Sequence, residues 1–201
     1  YGNNATLTKS GSLVDHRGSQ LMCFFNKYTY TGDTPYIGIR EEYLDSNYPA
    51  GNAFLMHVTN SYYWNNRYND TLWTTVNLTN DEYEDAYDLA ANVDYWISSV
   101  SFDGTSGVGC GTLAQMNAIT PTLTGAGFWV TTQGNCANLT GYVGAGATKI
   151  VGTLYKWSGS AWTSYYTPYT YPHPLRGETR GISLGSGSGF SLGVGAGFTL
   201  N

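Results

Sequence analysis

The chain has 201 residues, enough for one sizeable domain or for one regular array with a cap. Charged residues are 11% and aromatic residues 15%, with 26 glycines, 18 tyrosines and 6 tryptophans; long helices would lack their charged or alanine-rich solvent faces, and an all-β chain is expected. Nine basic against 14 acidic residues give no electrostatic handle for phosphate backbones, which sets nucleic acid aside, and no apolar run is long enough for a transmembrane helix.

The opening YGNNATLTKSGSLVDHRGSQ has neither an initiator methionine nor a signal peptide, so the chain is expected to be either processed or, as its lack of a start-like cap favours, a fragment whose opening joins a preceding repeat. Asp15, His16 and Arg17 are the most chemistry-like cluster, an acid, a base and a cation side by side. Successive strand residues alternate faces, however, so the reading as a polar turn outweighs catalysis and the three stay weak candidates. Runs of β-formers follow, QLMCFFNKY, YIGIREEYL, AFLMHVTNSYYWNN, LWTTVNLTN and VDYWISSVSF, separated by GDTP, DSNYPAGN, RYND and NDEYEDAYD. Cys23 reads as a buried free thiol and His57 as a core histidine. Glu41 and Glu42 are adjacent, point to opposite faces of a strand, and cannot both serve one glycosidase site. Strand-like runs recurring about every twenty residues fit the stacked coils of a β-helix, although no strict period is visible and a β-sandwich fits the spacing too.

The segment DEYEDAYDLAAN is the one expected helix, a turn or two with an acidic first turn capped by Asn80 or Asp81. Asp81, Glu82, Glu84, Asp85 and Asp88 lack the glycine and ligand spacing of a calcium loop, and neither a metal nor a cofactor is expected. Beyond Val100 the chain turns glycine-rich. Cys110 and Cys136 lie in similar glycine-rich surroundings and are candidates for one disulfide. GVGCG and GAGA are expected to permit close backbone approach, since no lysine follows in the place a phosphate loop requires. GTLYKWSGSAWTSYY reads as a hairpin, two aromatic strands flanking Ser-Gly-Ser. Next comes a strap, YYTPYTYPHPLRG, whose Pro168, Pro172 and Pro174 force an extended path. Its Tyr166, Tyr169, Tyr171 and His173 can lie on a neighbouring surface. The tail GETRGISLGSGSGFSLGVGAGFTLN alternates apolar residues with Gly and Ser, either as a flexible segment or as a thin strand that docks on an edge or on a sister chain. Sequons stand at Asn4, Asn69, Asn77 and Asn138.

DYWISSVSFDGTSGVGCGTLA, then GFWVTTQG, then GTLYKWSGSAWTSYYTPYTYPHPLRG resemble the C-terminal region of secreted right-handed parallel β-helix repeat proteins with pectate-lyase-like relatives. The resemblance covers Asn60 to Arg176, and YYWNNRYND looks like a late rung. It implies an all-β fold of right-handed parallel β-helix rungs over 1–100, a C-terminal cap over 101–177 with hairpin and strap, and a Gly/Ser-rich tail over 178–201. The strap is then expected to seal the last rung.

Two functions are weighed on these residues. One is a non-catalytic extracellular, cell-surface or virion-surface protein, structural or adhesive, that contacts polysaccharide, cell-surface glycans or sister chains. Tyr63, Trp64, Trp73, Trp157 and Trp162 are its candidate sugar-stacking rings. The other is the C-terminal part of a polysaccharide lyase or hydrolase whose catalytic rungs lie upstream. No credible catalytic pair stands within these residues, which favours the first.

Overall fold

Short runs of β-formers between turn residues make this chain all-β. A computed structural model has sixteen strands and one five-residue helix among the described residues. Those residues are 1–7, 12–31, 36–41, 58–74, 76–80, 89–133, 143–146, 149–169, 182–184 and 190–192. The chain divides into two units, Tyr1–Pro168 and Tyr169–Asn201.

In the first unit, β1 (Asn4–Leu7), β2 (Ser12–Arg17) and β3 (Met22–Phe24) are followed by β4 (Lys27–Tyr30), β5 (Tyr36–Glu41) and β6 (Ser61–Trp64). Then come β7 (Arg67–Tyr68), β8 (Thr71–Leu72), β9 (Val76–Asn80) and β10 (Tyr95–Ile97). They form three sheets, ordered β1-β4-β7-β8, β2-β5-β9 and β3-β6-β10. Every pairing is parallel except β7 with β8. Each passage along the chain therefore adds one strand to each sheet in turn. The exception is a hairpin whose two loop residues, Asn69 and Asp70, have φ of 43° and 65°, the double left-handed turn that matches strand twist.

QLMCFFNKY reads as one strand, but the structure breaks it at Phe25, whose φ is 54°. A bulky residue adopts that conformation only where its surroundings hold it. Here the ring is fully buried, 5.8 Å from that of Trp129, so tertiary packing outweighs the local preference.

The sheet β3-β6-β10 is apolar on both faces, as buried parallel strands are. Cys23, Tyr63 and Tyr95 join Tyr28, Ile39, Val58 and Trp73 in one core, packed also by Ala5, Val14 and Val76, so all three sheets contribute to it. On the opposite face Phe24, Tyr62, Trp64 and Trp96 meet a second layer. That layer is the sheet β11 (Val108–Gly111), β12 (Gly127–Val130), β13 (Thr153–Trp157) and β14 (Trp162–Tyr166), in that order, with β11–β12 parallel and the rest antiparallel. Its Trp129, Leu154 and Trp157 pack into that shared cluster, whereas Phe128, next along the strand, meets Phe102 and Trp162; all four are buried. Gly109 on β11 makes the expected close approach: a Cβ there would stand 2.5 Å from the Phe102 ring. The hairpin expected around Ser-Gly-Ser is β13–β14, with Gly159 at φ 98° and Ser158 N–H donating to Ala161 O.

The described helix, α1 (Leu113–Asn117), was not anticipated. Thr112 caps it and Gln115 returns the bond, the Ser/Thr-x-x-Gln box that TLAQ spells out. Of the helix expected over 81–92, residues 81–88 lie outside the described residues. In the second unit, β15 (Ile182–Leu184) pairs antiparallel with β16 (Phe190–Leu192), so these two stretches of the tail are strands that bond to each other.

Candidate functional site

Strand alternation separates Asp15 from His16. Asp15 is exposed, whereas His16 is buried and its Nδ1 lies 2.6 Å from the Tyr63 hydroxyl. Burial holds the His16 imidazole below its ordinary pKa, opposed by a hydrogen bond to the Gly18 backbone. A neutral ring set between that backbone group and Tyr63 is a packed polar core group. Arg17 is the last residue of β2. The structure thus does not bring an acid and a base together here.

Around the corner from β3 to β4 lies a polar network that the sequence reading missed. Tyr1-Gly2-Asn3, Phe24-Phe25-Asn26 and Trp64-Asn65-Asn66 occupy equivalent places: Gly2, Phe25 and Asn65 have φ of 68°, 54° and 50°. Each is followed by an asparagine. Asn3 N and Nδ2 donate to Asn26 Oδ1 at 3.0 and 3.1 Å. Asn26 N and Nδ2 donate to Asn66 Oδ1 at 3.2 and 2.9 Å. Asn66 Nδ2 donates to Cys23 O at 2.9 Å. The residue before each left-handed position is aromatic, and these rings stack. Tyr1 lies on Phe24 at 4.5 Å and 8°, Phe24 on Trp64 at 4.2 Å and 4°. The signal was present as an aromatic residue, a spacer and Asn, recurring at intervals of 23 (26 − 3) and 40 (66 − 26) residues. Unequal intervals hid it from a search for strict period.

Cys23 adjoins this network and is free, with Asn26 Nδ2 donating to its Sγ at 3.4 Å. Burial pushes its thiol up to about 11, so it is protonated at neutral pH and no nucleophile. Cys110 is disulfide-bonded, and Asn65 Nδ2 also donates to its Sγ. Cys136 lies outside the described residues.

The expected sugar-stacking platform needs correction. Tyr63, Trp64, Trp73 and Trp157 are buried, with exposures of 0, 1, 7 and 9%. Their faces are taken: Trp64 by Phe24 and Trp129, Trp73 by Tyr28, Trp157 by Trp162. Trp162 is half-buried, and its indole N–H donates to Ile119 O. Aromatic residues are here the filling between two layers. Half-exposed rings remain on β13 and β14, those of Tyr155, Trp162, Tyr165 and Tyr166. Lys156 Nζ lies 5.1 Å over the Tyr165 ring and donates to Asn60 Oδ1; desolvation lowers its pKa.

The described beginning of the strap lies against the sheet β3-β6-β10. Tyr166 sets its edge against Phe24 of β3, 5.8 Å away, and Tyr165 reaches Gln20. Tyr165 also packs against Tyr62 of β6, 5.5 Å away, so these two rings meet β3 and β6 of that sheet. Pro168 is half-buried and Tyr169 is 62% exposed. Tyr171, Pro172, His173 and Pro174, like His57 and Glu42, lie outside the described residues. Of the sequons, Asn4 and Asn69 are exposed. Among the described residues no three His, Cys, Asp or Glu side chains cluster to hold a metal, and no helix is long and apolar enough to cross a membrane.

No protein-family model, curated protein or solved structure gives a significant match to this chain.

Proposed function

We propose that the first unit is a stack of parallel β-helix coils, right-handed as in the proteins it resembles, with β11–β14 as a side cover. On this reading it serves as a non-catalytic structural or adhesive element of an extracellular, cell or virion surface. The observation that carries the reading is the recurrence of one strand per sheet, β1-β2-β3, then β4-β5-β6, then β7-β9-β10. The core shared by the three sheets and the asparagine ladder at one corner support it, because both need successive coils in register. The disulfide at Cys110 fits an oxidising compartment. Low charge suits contact without electrostatic steering. Among the described residues of the first unit, the partly exposed rings of Tyr155, Trp162, Tyr165 and Tyr166 on β13 and β14 are the candidates to meet a glycan.

A glycan array combined with light scattering tests the function. Binding to a glycan, weakened by Tyr155→Ala or Trp162→Ala, or assembly of sister chains is expected. A monomer that binds no glycan leaves the adhesive reading without support. Sustained turnover of pectin, alginate or capsule polysaccharide, abolished by Asp15→Asn, overturns it in favour of a lyase or hydrolase.

A further inference from the structure

Lys156 on β13 pairs across its sheet with Gly127 of β12 on one side and Thr163 of β14 on the other. A Cβ at Gly127 would stand 3.0 Å from the Tyr62 ring, so the face that carries Lys156 is the one turned to β6. There Lys156 Nζ donates to Asn60 Oδ1 and lies 5.1 Å over the Tyr165 ring. Tyr165 packs on Tyr62, 5.5 Å away, and its hydroxyl donates to Gln20 Oε1 at 3.5 Å. Two corners, Gln20 before β3 and Asn60 before β6, thus meet the β13–β14 hairpin in one seam. Gln20 is exposed and Asn60, Lys156 and Tyr165 are half-buried, so the seam opens to water. What it lacks is a negative charge. Lys156 is partly withdrawn from water, which lowers its pKa, and among the described residues no carboxylate stands against it. The Asp94 carbonyl accepts from Ser61 beside Asn60, but the Asp94 carboxylate turns to the Ala90 N–H at 2.9 Å. Asn60 Oδ1 and Gln20 Oε1 are already met by donors from the hairpin. The seam therefore has left to offer the remaining ammonium protons and two amide NH2 groups, donors throughout.

From this we infer that the seam binds an oligosaccharide ending in one carboxylate-bearing sugar, with the carboxylate on Lys156 Nζ and neighbouring sugar oxygens on the Asn60 and Gln20 amides. The inference rests on the adhesive reading and names a ligand class which that reading leaves open. An ammonium drawn partly out of water is stabilised more by a charged acceptor than by an amide and a ring alone. One cation matches one anionic group, and a chain of net charge −5 repels a polyanion. A single terminal acidic sugar therefore suits the seam, and a polyuronate does not. Sugar hydroxyls accept as well as donate, so they can fill the amide N–H groups that the carboxylate does not reach. The seam is also separable from the rings of Tyr155 and Trp162. Tyr155 adjoins Lys156 and Trp162 adjoins Thr163, so strand alternation turns both rings to the opposite face of the sheet.

The test titrates the full chain with sialyllactose, lactose and trigalacturonate, followed by NMR, and repeats the titrations on three variants. Lys156→Met keeps the stem and removes the charge, Lys156→Arg restores a cation, and Gln20→Ala changes an exposed residue whose loss leaves the fold intact. The expected result is that sialyllactose binds about tenfold or more tightly than lactose, the worth of a charge-assisted hydrogen bond. Lys156→Met then abolishes that preference while leaving lactose unaffected, Lys156→Arg retains most of it, and Gln20→Ala weakens sialyllactose by roughly threefold. Urea midpoints show whether each variant is folded; should Lys156→Met not fold, Lys156→Arg and Gln20→Ala decide. Equal affinity for sialyllactose and lactose, or no binding of either, overturns the proposal. So does a preference that Lys156→Met and Gln20→Ala leave unchanged, or tighter binding of trigalacturonate than of sialyllactose. Failure of the adhesive reading is told apart on the glycan array. A parent that binds neutral glycans through Tyr155 and Trp162 without preferring the acidic sugar loses only the seam, whereas a monomer that binds no glycan loses both.

Discussion

Replacing Asn66 by alanine is the sharpest probe of the corner ladder. Asn66 is 1% exposed, and besides accepting a weak bond from the Cys23 thiol its side chain satisfies three amide groups: the Asn26 backbone N–H, the Asn26 amide N–H and the Cys23 carbonyl. Asn26 is itself 2% exposed, so water does not readily replace the lost partner. Leaving a buried polar group unpaired costs about 1–3 kcal/mol, and three such groups, taken at the low end because the site can relax, give ~3 kcal/mol. For a chain of 201 residues that corresponds to a fall in Tm of about 6–12 °C. Asn69→Ala is the matched control. Asn69 also bonds a neighbouring strand at both ends, to Tyr30 N and O at 3.0 and 3.1 Å, but it is exposed. Water can take its place, and with the added strain of alanine at the left-handed φ of 43° about 1–2 kcal/mol is expected, still below the Asn66 loss. Equilibrium urea unfolding followed by tryptophan fluorescence measures both. A loss for Asn66→Ala no larger than that for Asn69→Ala would refute the reasoning, since burial of the ladder is what separates them.

Three other outcomes follow from the same geometry. Because burial keeps His16 neutral in the fold, the unfolded chain takes up a proton before the folded one does. Stability is therefore complete above the ordinary histidine value of 6.5 and declines as pH falls below it, and His16→Gln should flatten Tm between about pH 7 and pH 5 relative to the parent. Cys23, buried and held protonated, should resist Ellman's reagent in the native protein and react on unfolding; fast native labelling at Cys23, located by peptide mapping, would contradict its placement. Gly125 has φ of 101°, and a Cβ there would stand 2.7 Å from the Trp96 ring, so Gly125→Ala should cost about 1–3 kcal/mol in the same urea assay, and a neutral result would mean the two layers are not in this contact.

Features that depend on near neighbours in the chain were legible in the residues. Scarce charge and abundant β-formers meant strands; Ser-Gly-Ser between aromatic runs meant the β13–β14 hairpin; alternation along LVDHRGS meant that Asp15 and His16 would part to opposite faces. The capping box of α1 was equally local and was overlooked because the segment is only five residues long.

What the tertiary structure alone decided is which side of each strand meets water, and which residues far apart in sequence meet each other. SYYW looks the same whether its second face is solvated or covered; the arrival of Trp129, Leu154 and Trp157 from 65 or more residues later (129 − 64) buries it and withdraws its rings from any sugar. Phe25 turns left-handed because a pocket beside Trp129 holds its ring, against its local preference. Asn3, Asn26 and Asn66 become one ladder only when segments 23 (26 − 3) and 40 (66 − 26) residues apart are brought side by side by the parallel sheets. Local propensity acts over a few residues, whereas the burial and hydrogen bonding that define these contacts exist only once the sheets have stacked.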